Sequence, residues 1–126
     1  MNFKPLLSLY LILSLGDAAA TSFFNAQLQL QTTNGGAFVT GKIVFSNKDE
    51  LVGVWNNLSR ARLMKCNPNC EVVNSFPVSG TLVLSAKSTY RIIFGGRYSV
   101  GQKVKLVFKF KRALLEEQFA ITKAGN

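Results

Sequence analysis

The side chains that commonly do acid-base or metal chemistry are scarce in this sequence. Histidine is absent from all 126 residues, which removes the commonest general base and metal ligand. Beyond residue 20 the carboxylates are Asp49, Glu50, Glu71, Glu116 and Glu117. Two adjacent pairs occur among them, and adjacent residues on a strand point to opposite faces, so a converging pair for glycoside hydrolysis has little support. No serine stands in a G-x-S-x-G elbow, and no glycine-rich phosphate loop is present. Two cysteines are too few for a thiolate zinc site. A non-catalytic protein without metal or cofactor is the expectation.

The residue types that remain suit binding. Trp55, the only tryptophan, is followed by Asn56, and Phe76 lies close after Asn74. A large ring beside an amide in a polar loop is a common ligand-contact type, and the alternative is that both rings cap a core. In 103–111 (KVKLVFKFK) the alternation places Lys103, Lys105, Lys109 and Lys111 on one face of a strand and Val104, Leu106, Phe108 and Phe110 on the other. Such a basic face fits a polyanionic glycan or an anionic surface; it equally keeps a half-exposed strand soluble.

These groups must be positioned by strands. Phe24, Ala26, Leu28 and Leu30 alternate with Asn25, Gln27, Gln29 and Gln31, and Thr33-Asn34-Gly35-Gly36 then turns the chain. Further extended segments are expected over 37–45, 51–55, 71–73, 81–85, 89–94, 103–111 and 119–122, with turn signals between them. The stretch 112–118 (RALLEEQ) has helix-forming composition and reads as one helical turn or as a loop. An all-β chain is expected, an antiparallel β-sandwich of about seven to nine short strands.

Residues 1–20 have the layout of a secretory signal peptide: Lys4, an apolar run over 6–15, and Ala18-Ala19-Ala20. That leaves residues 21–126 as a single secreted, extracellular domain without a transmembrane segment. The leader carries Lys4 and Asp17, one charge of each sign, so the net +9 of the whole chain is unchanged by its removal. In an oxidising compartment Cys66 and Cys70 are expected to pair, since Asn67-Pro68-Asn69 favours a tight turn between them. Asn57-Leu58-Ser59 matches the N-glycosylation pattern at Asn57. A monomer is expected.

Taken in order, the segments from Phe24 to Gly96 resemble the family 2 carbohydrate-binding modules, the cellulose-binding β-sandwiches. The residues that carry the resemblance are Phe24-Asn25-Ala26, Val39-Thr40-Gly41-Lys42-Ile43-Val44-Phe45, Trp55-Asn56, Asn74, Phe76, Ser79-Gly80-Thr81-Leu82 and Ile93-Phe94-Gly95-Gly96. Lys42 stands where that family has a tryptophan, and the family's terminus-linking disulfide has no counterpart. The resemblance implies binding of a polysaccharide such as cellulose or chitin by rings on one flat face. By matching position those rings are Trp55 and Phe76, with Asn56 and Asn74 hydrogen-bonding sugar hydroxyls. The other reading is a small cationic secreted protein that binds polyanions or membrane surfaces through the Lys103–Lys111 face.

Overall fold

The computed structural model describes residues 24–113 and 115–125, so the expected leader over 1–20 lies outside the described residues. The chain is all-β. Among the described residues ten strands are formed: β1 (Phe24–Thr33), β2 (Gly36–Phe45), β3 (Asp49–Trp55), β4 (Arg62–Cys66), β5 (Cys70–Val73), β6 (Phe76–Val78), β7 (Thr81–Leu84), β8 (Tyr90–Gly95), β9 (Lys103–Phe110) and β10 (Glu116–Lys123). The segments read from alternation all recur, and β4 and β6 are added to them. No helical turn forms over the described part of 112–118; the chain bends and enters β10.

Nine strands follow one hydrogen-bonded path, β5-β4-β8-β2-β1-β10-β9-β3-β6, and β7 joins at β2. Neighbours are antiparallel except β1 and β10, which run parallel with Leu28 opposite Ala120 and Gln31 opposite Lys123. The two ends of the path, β5 and β6, are separated in sequence only by Asn74 and Ser75. So short a link cannot reach across a flat nine-strand sheet, and the sheet must roll until its ends approach. Side chains show the same closure: Phe76 of β6 stacks on Tyr90 of β8 with centroids 4.6 Å apart, and Phe45 of β2 meets Phe110 of β9 edge-on at 5.6 Å.

The roll encloses one core. Leu28, Leu30, Val39, Ile43, Leu51, Val54, Ile92, Phe94, Leu106 and Phe108 all point into it. Two glycines make the roll feasible. Gly41 has φ +129°, and a Cβ there would lie 2.0 Å from the Gln27 carbonyl oxygen, so only glycine allows β1 so close. At this point β2 changes partner, pairing β8 through residues 36–38 and β7 through residues 41–44. Gly53 follows a bulge in β3, where Leu51 faces Phe110 but Gly53 faces Lys109.

One carboxylate locks the start of β3 to the β9–β10 connection. Asp49 is nearly buried (9% exposed), and its oxygens accept the backbone N–H groups of Glu50 at 2.7 Å, Arg112 at 2.9 Å and Ala113 at 2.8 Å. Burial alone pushes its pKa up. The three N–H groups and the nearby Arg112 charge outweigh that, and the net shift is downward from the ordinary value.

At the β5 end of the path, Cys66 and Cys70 face each other across the β4–β5 hairpin and are disulfide-bonded, with Cα atoms 3.9 Å apart. The expected local pairing is what forms. Among the described residues no helix is long and apolar enough to cross a membrane.

Candidate functional site

The two rings expected to form a sugar platform lie on opposite faces of the sheet. Phe76 sits opposite Leu51 on the core side, is 1% exposed, and spends its ring on Tyr90. Its polar neighbours Asn74 and Ser75 mark the tight link between β5 and β6, after which the chain turns inward; Asn74 itself is exposed. Trp55 pairs with Val107 on the outer side and is half-buried. Its ring lies over Gly53, where a Cβ would come within 2.5 Å of the indole. The Arg60 guanidinium sits 5.0 Å from the ring centroid and donates to the Val52 carbonyl at 3.1 Å, the group displaced by the bulge.

Asn56 is similarly committed. Its Oδ1 accepts the N–H groups of Leu58 and Ser59, both at 2.8 Å, and its Nδ2 donates to the Tyr98 hydroxyl at 2.9 Å. Trp55, Asn56 and Arg60 therefore build the β3–β4 turn, and the platform expected of Trp55 and Phe76 does not exist. Asn57 is exposed in that turn.

The lysines are where alternation places them. Lys103, Lys105 and Lys109 project outward from β9, and Lys111 is exposed just beyond its end. Lys105 is 3.7 Å from Glu117 and Lys111 is 3.9 Å from Glu50. Both pairs are solvent-exposed, so each contributes little stability, about 1 kcal/mol at most, and neither withdraws its lysine from a ligand.

Cross-strand pairing enlarges this face into one that no single segment reveals. On β10, Glu117, Phe119, Ile121 and Lys123 point outward between the buried Ala120 and Thr122. Lys105 is opposite Phe119 and Lys103 is opposite Ile121. The Lys103 ammonium also lies 4.5 Å from the Phe119 ring centroid, a cation–π contact. On the other side of β10 the parallel pairing brings in the outward amides of β1, with Gln29 opposite Ile121 and Gln31 opposite Lys123. Beyond them β2 adds Lys42 opposite Gln27 and Thr40 opposite Gln29.

The outer surface of β2-β1-β10-β9 therefore carries Lys42, Lys103, Lys105 and Lys123 around a column of glutamines, with Phe119 54% and Ile121 48% exposed. Between Phe119 and Gly41 it dips into a trough of about 430 Å³ floored by Gln27 and Gln29. Neighbouring strands are about 4.8 Å apart, so Lys42 and Lys105 stand roughly 14 Å from each other across it. Amides supply donors and acceptors, the ring supplies an apolar plate, and the ammonium groups supply positive charge. Glu116, which faces the core side of β10, has its pKa raised by burial and takes no part in this surface.

Neither Phe119 nor Lys42 was singled out as a ligand contact by the sequence. The available signal was the outward alternation of Gln27-x-Gln29-x-Gln31 and Phe119-x-Ile121-x-Lys123, two patterns that belong together only once β1 and β10 pair. Compared with known proteins, the chain matches no family model and no curated protein.

Proposed function

We propose that this chain is a secreted, non-catalytic protein that binds an acidic polysaccharide across the outer face of β2, β1, β10 and β9. The observation that carries the reading is the trough beside Phe119: an exposed ring next to two glutamine amides, with Lys42 opposite Gln27 on one side and Lys105 and Lys103 opposite Phe119 and Ile121 on the other. A sugar presents a C–H face that stacks on a ring, hydroxyls that bond to amides, and, in an acidic polymer, carboxylate or sulfate groups that pair with ammonium. Ring stacking, which the resemblance to family 2 carbohydrate-binding modules assigns to Trp55 and Phe76, falls here to Phe119. Nucleic acid suits the face less well, because single-stranded binders stack successive bases on several aromatics and one exposed ring stands in this trough.

Retention on an immobilised sulfated glycosaminoglycan, eluted by a salt gradient, tests the reading. Wild type is expected to be retained, with affinity falling steeply as salt rises, and to pass through cellulose. Phe119→Ala is expected to weaken binding about three- to tenfold, the loss of one stacking contact of roughly 0.5 to 1.5 kcal/mol. Trp55→Ala is expected to leave retention unchanged. Elution at trivial salt, or retention indifferent to Phe119, refutes the proposal. Partition onto phosphatidylserine vesicles without retention on the glycan assigns the same lysines to a lipid surface instead.

A further inference from the structure

A second concavity lies on the same outer side, beyond the end of the glutamine column. Gln31, the last of the three glutamines, pairs with Lys123 on one side and with the half-buried Phe38 on the other. Here the β1–β2 turn, the β7–β8 loop and the chain near Gly125 bound a groove of about 690 Å³, lined by Gln31, Thr33, Asn34, Phe38 and Lys87 among others. That volume falls within the range of small-ligand sites, roughly 300 to 1,000 Å³.

The wall at Gly125 is fixed. The Gly125 N–H donates to Thr32 Oγ1 at 3.1 Å, and a Cβ on Gly125 would lie 1.8 Å from the Thr32 carbonyl oxygen. The remaining polar side chains are uncommitted: those of Gln31, Thr33, Asn34 and Lys87 are not engaged by hydrogen bonds or ion pairs among the described residues. Two amides, a hydroxyl and one ammonium thus surround a phenyl ring. Amides and a ring also meet at the Phe119 trough.

We propose that this groove is a second saccharide subsite, occupied by a further sugar ring of the chain held at Phe119. The inference rests on the acidic-polysaccharide reading of that trough and deepens it by giving the ligand a direction and a minimum length. Gln27 and Gln31 are four residues apart on β1, so the two subsites are separated by about 13 Å along the strand. A disaccharide lodged at Phe119 does not reach that far, whereas an octasaccharide does. Binding at two linked subsites makes the second contact intramolecular, and affinity then rises with chain length without new chemistry.

Titration with size-fractionated heparin-type oligosaccharides, from disaccharide to octasaccharide, tests the subsite by calorimetry and by amide chemical shifts. Wild type is expected to bind the octasaccharide at least about tenfold more tightly than the disaccharide, and only the octasaccharide is expected to shift Asn34 and Lys87. Phe38→Ala is expected to lower octasaccharide affinity about three- to tenfold while leaving the disaccharide unaffected. Since Phe38 is half-buried, the exposed pair Asn34→Ala and Lys87→Gln serves as a second variant that does not endanger folding. Octasaccharide affinity unchanged in both variants, with Phe119→Ala still weakening it, overturns the groove alone. Wild type that binds no oligosaccharide of any length overturns the trough reading and the groove with it.

Discussion

Asp49→Ala removes a group that the strand pattern hides and the packing makes indispensable. Three backbone N–H groups lose their acceptor in the variant, those of Glu50, Arg112 and Ala113. A hydrogen bond to a charged partner contributes about 1.5 to 3 kcal/mol when intact. The three losses are unequal. Arg112 is exposed and Glu50 half-buried, so water reaches their N–H groups, while Ala113 is 8% exposed and its N–H is left without a partner. The total cost is then about 3 to 4 kcal/mol, most of it at Ala113, which is a large share of the roughly 5 to 15 kcal/mol that holds a domain together.

Acid should narrow the difference between the two proteins. The folded pKa of Asp49 lies below the ordinary value of 3.8, so near that pH its carboxyl binds fewer protons in the folded state than in the unfolded one. Its stabilisation is therefore fully present above that value and is lost as pH falls below it through the folded pKa. Urea unfolding at a series of pH values, followed by the emission of Trp55 as the sole tryptophan, measures both effects. The gap between wild type and Asp49→Ala is expected at about 3 to 4 kcal/mol at neutral pH and should narrow progressively in acid. A gap below about 1 kcal/mol at neutral pH, or one that does not narrow in acid, would refute the account of Asp49 as a backbone anchor.

Two further substitutions probe the packing around the site. Gly53→Ala forces the Trp55 indole off the sheet and with it the Arg60 guanidinium; a cost of about 1 to 3 kcal/mol and a red-shifted emission are expected, with glycan retention unaltered. Thr122→Val replaces a hydroxyl that is 1% exposed and without a hydrogen-bond partner among the described residues. It should raise stability by about 1 kcal/mol, seen as a higher urea midpoint at constant slope.

Local patterns carried the strands. Strict alternation in 24–31 and 103–111 reports which side chains face the core, and every buried position on β9 is one of the four apolar residues of that pattern. β4 escaped because RLMKC begins with Arg62 and sets Lys65 beside Cys66, breaking the period, and β6 because it is three residues long and includes Pro77. The binding face escaped for a different reason. It is assembled from β1 and β10, strands some ninety residues apart whose parallel pairing no local signal announces. The polar company of Trp55 and Phe76 suggested exposed rings; in the structure those polar residues serve turn and link, and the rings lie on glycine and tyrosine.

The neighbourhood of β1 and β10 also sets a timetable for biosynthesis. β1 is made early and has a partner soon, since β2 follows it directly through a tight turn. Its other edge, in the middle of the finished sheet, stays bare until residues 116–123 have left the ribosome. Until then the nascent chain holds an unsatisfied strand edge and a core open at the seam, the kind of species that invites misassembly. Folding of this domain is therefore completed only after translation has passed β10, and a chain destined for export before that point would travel to its translocation channel unfolded.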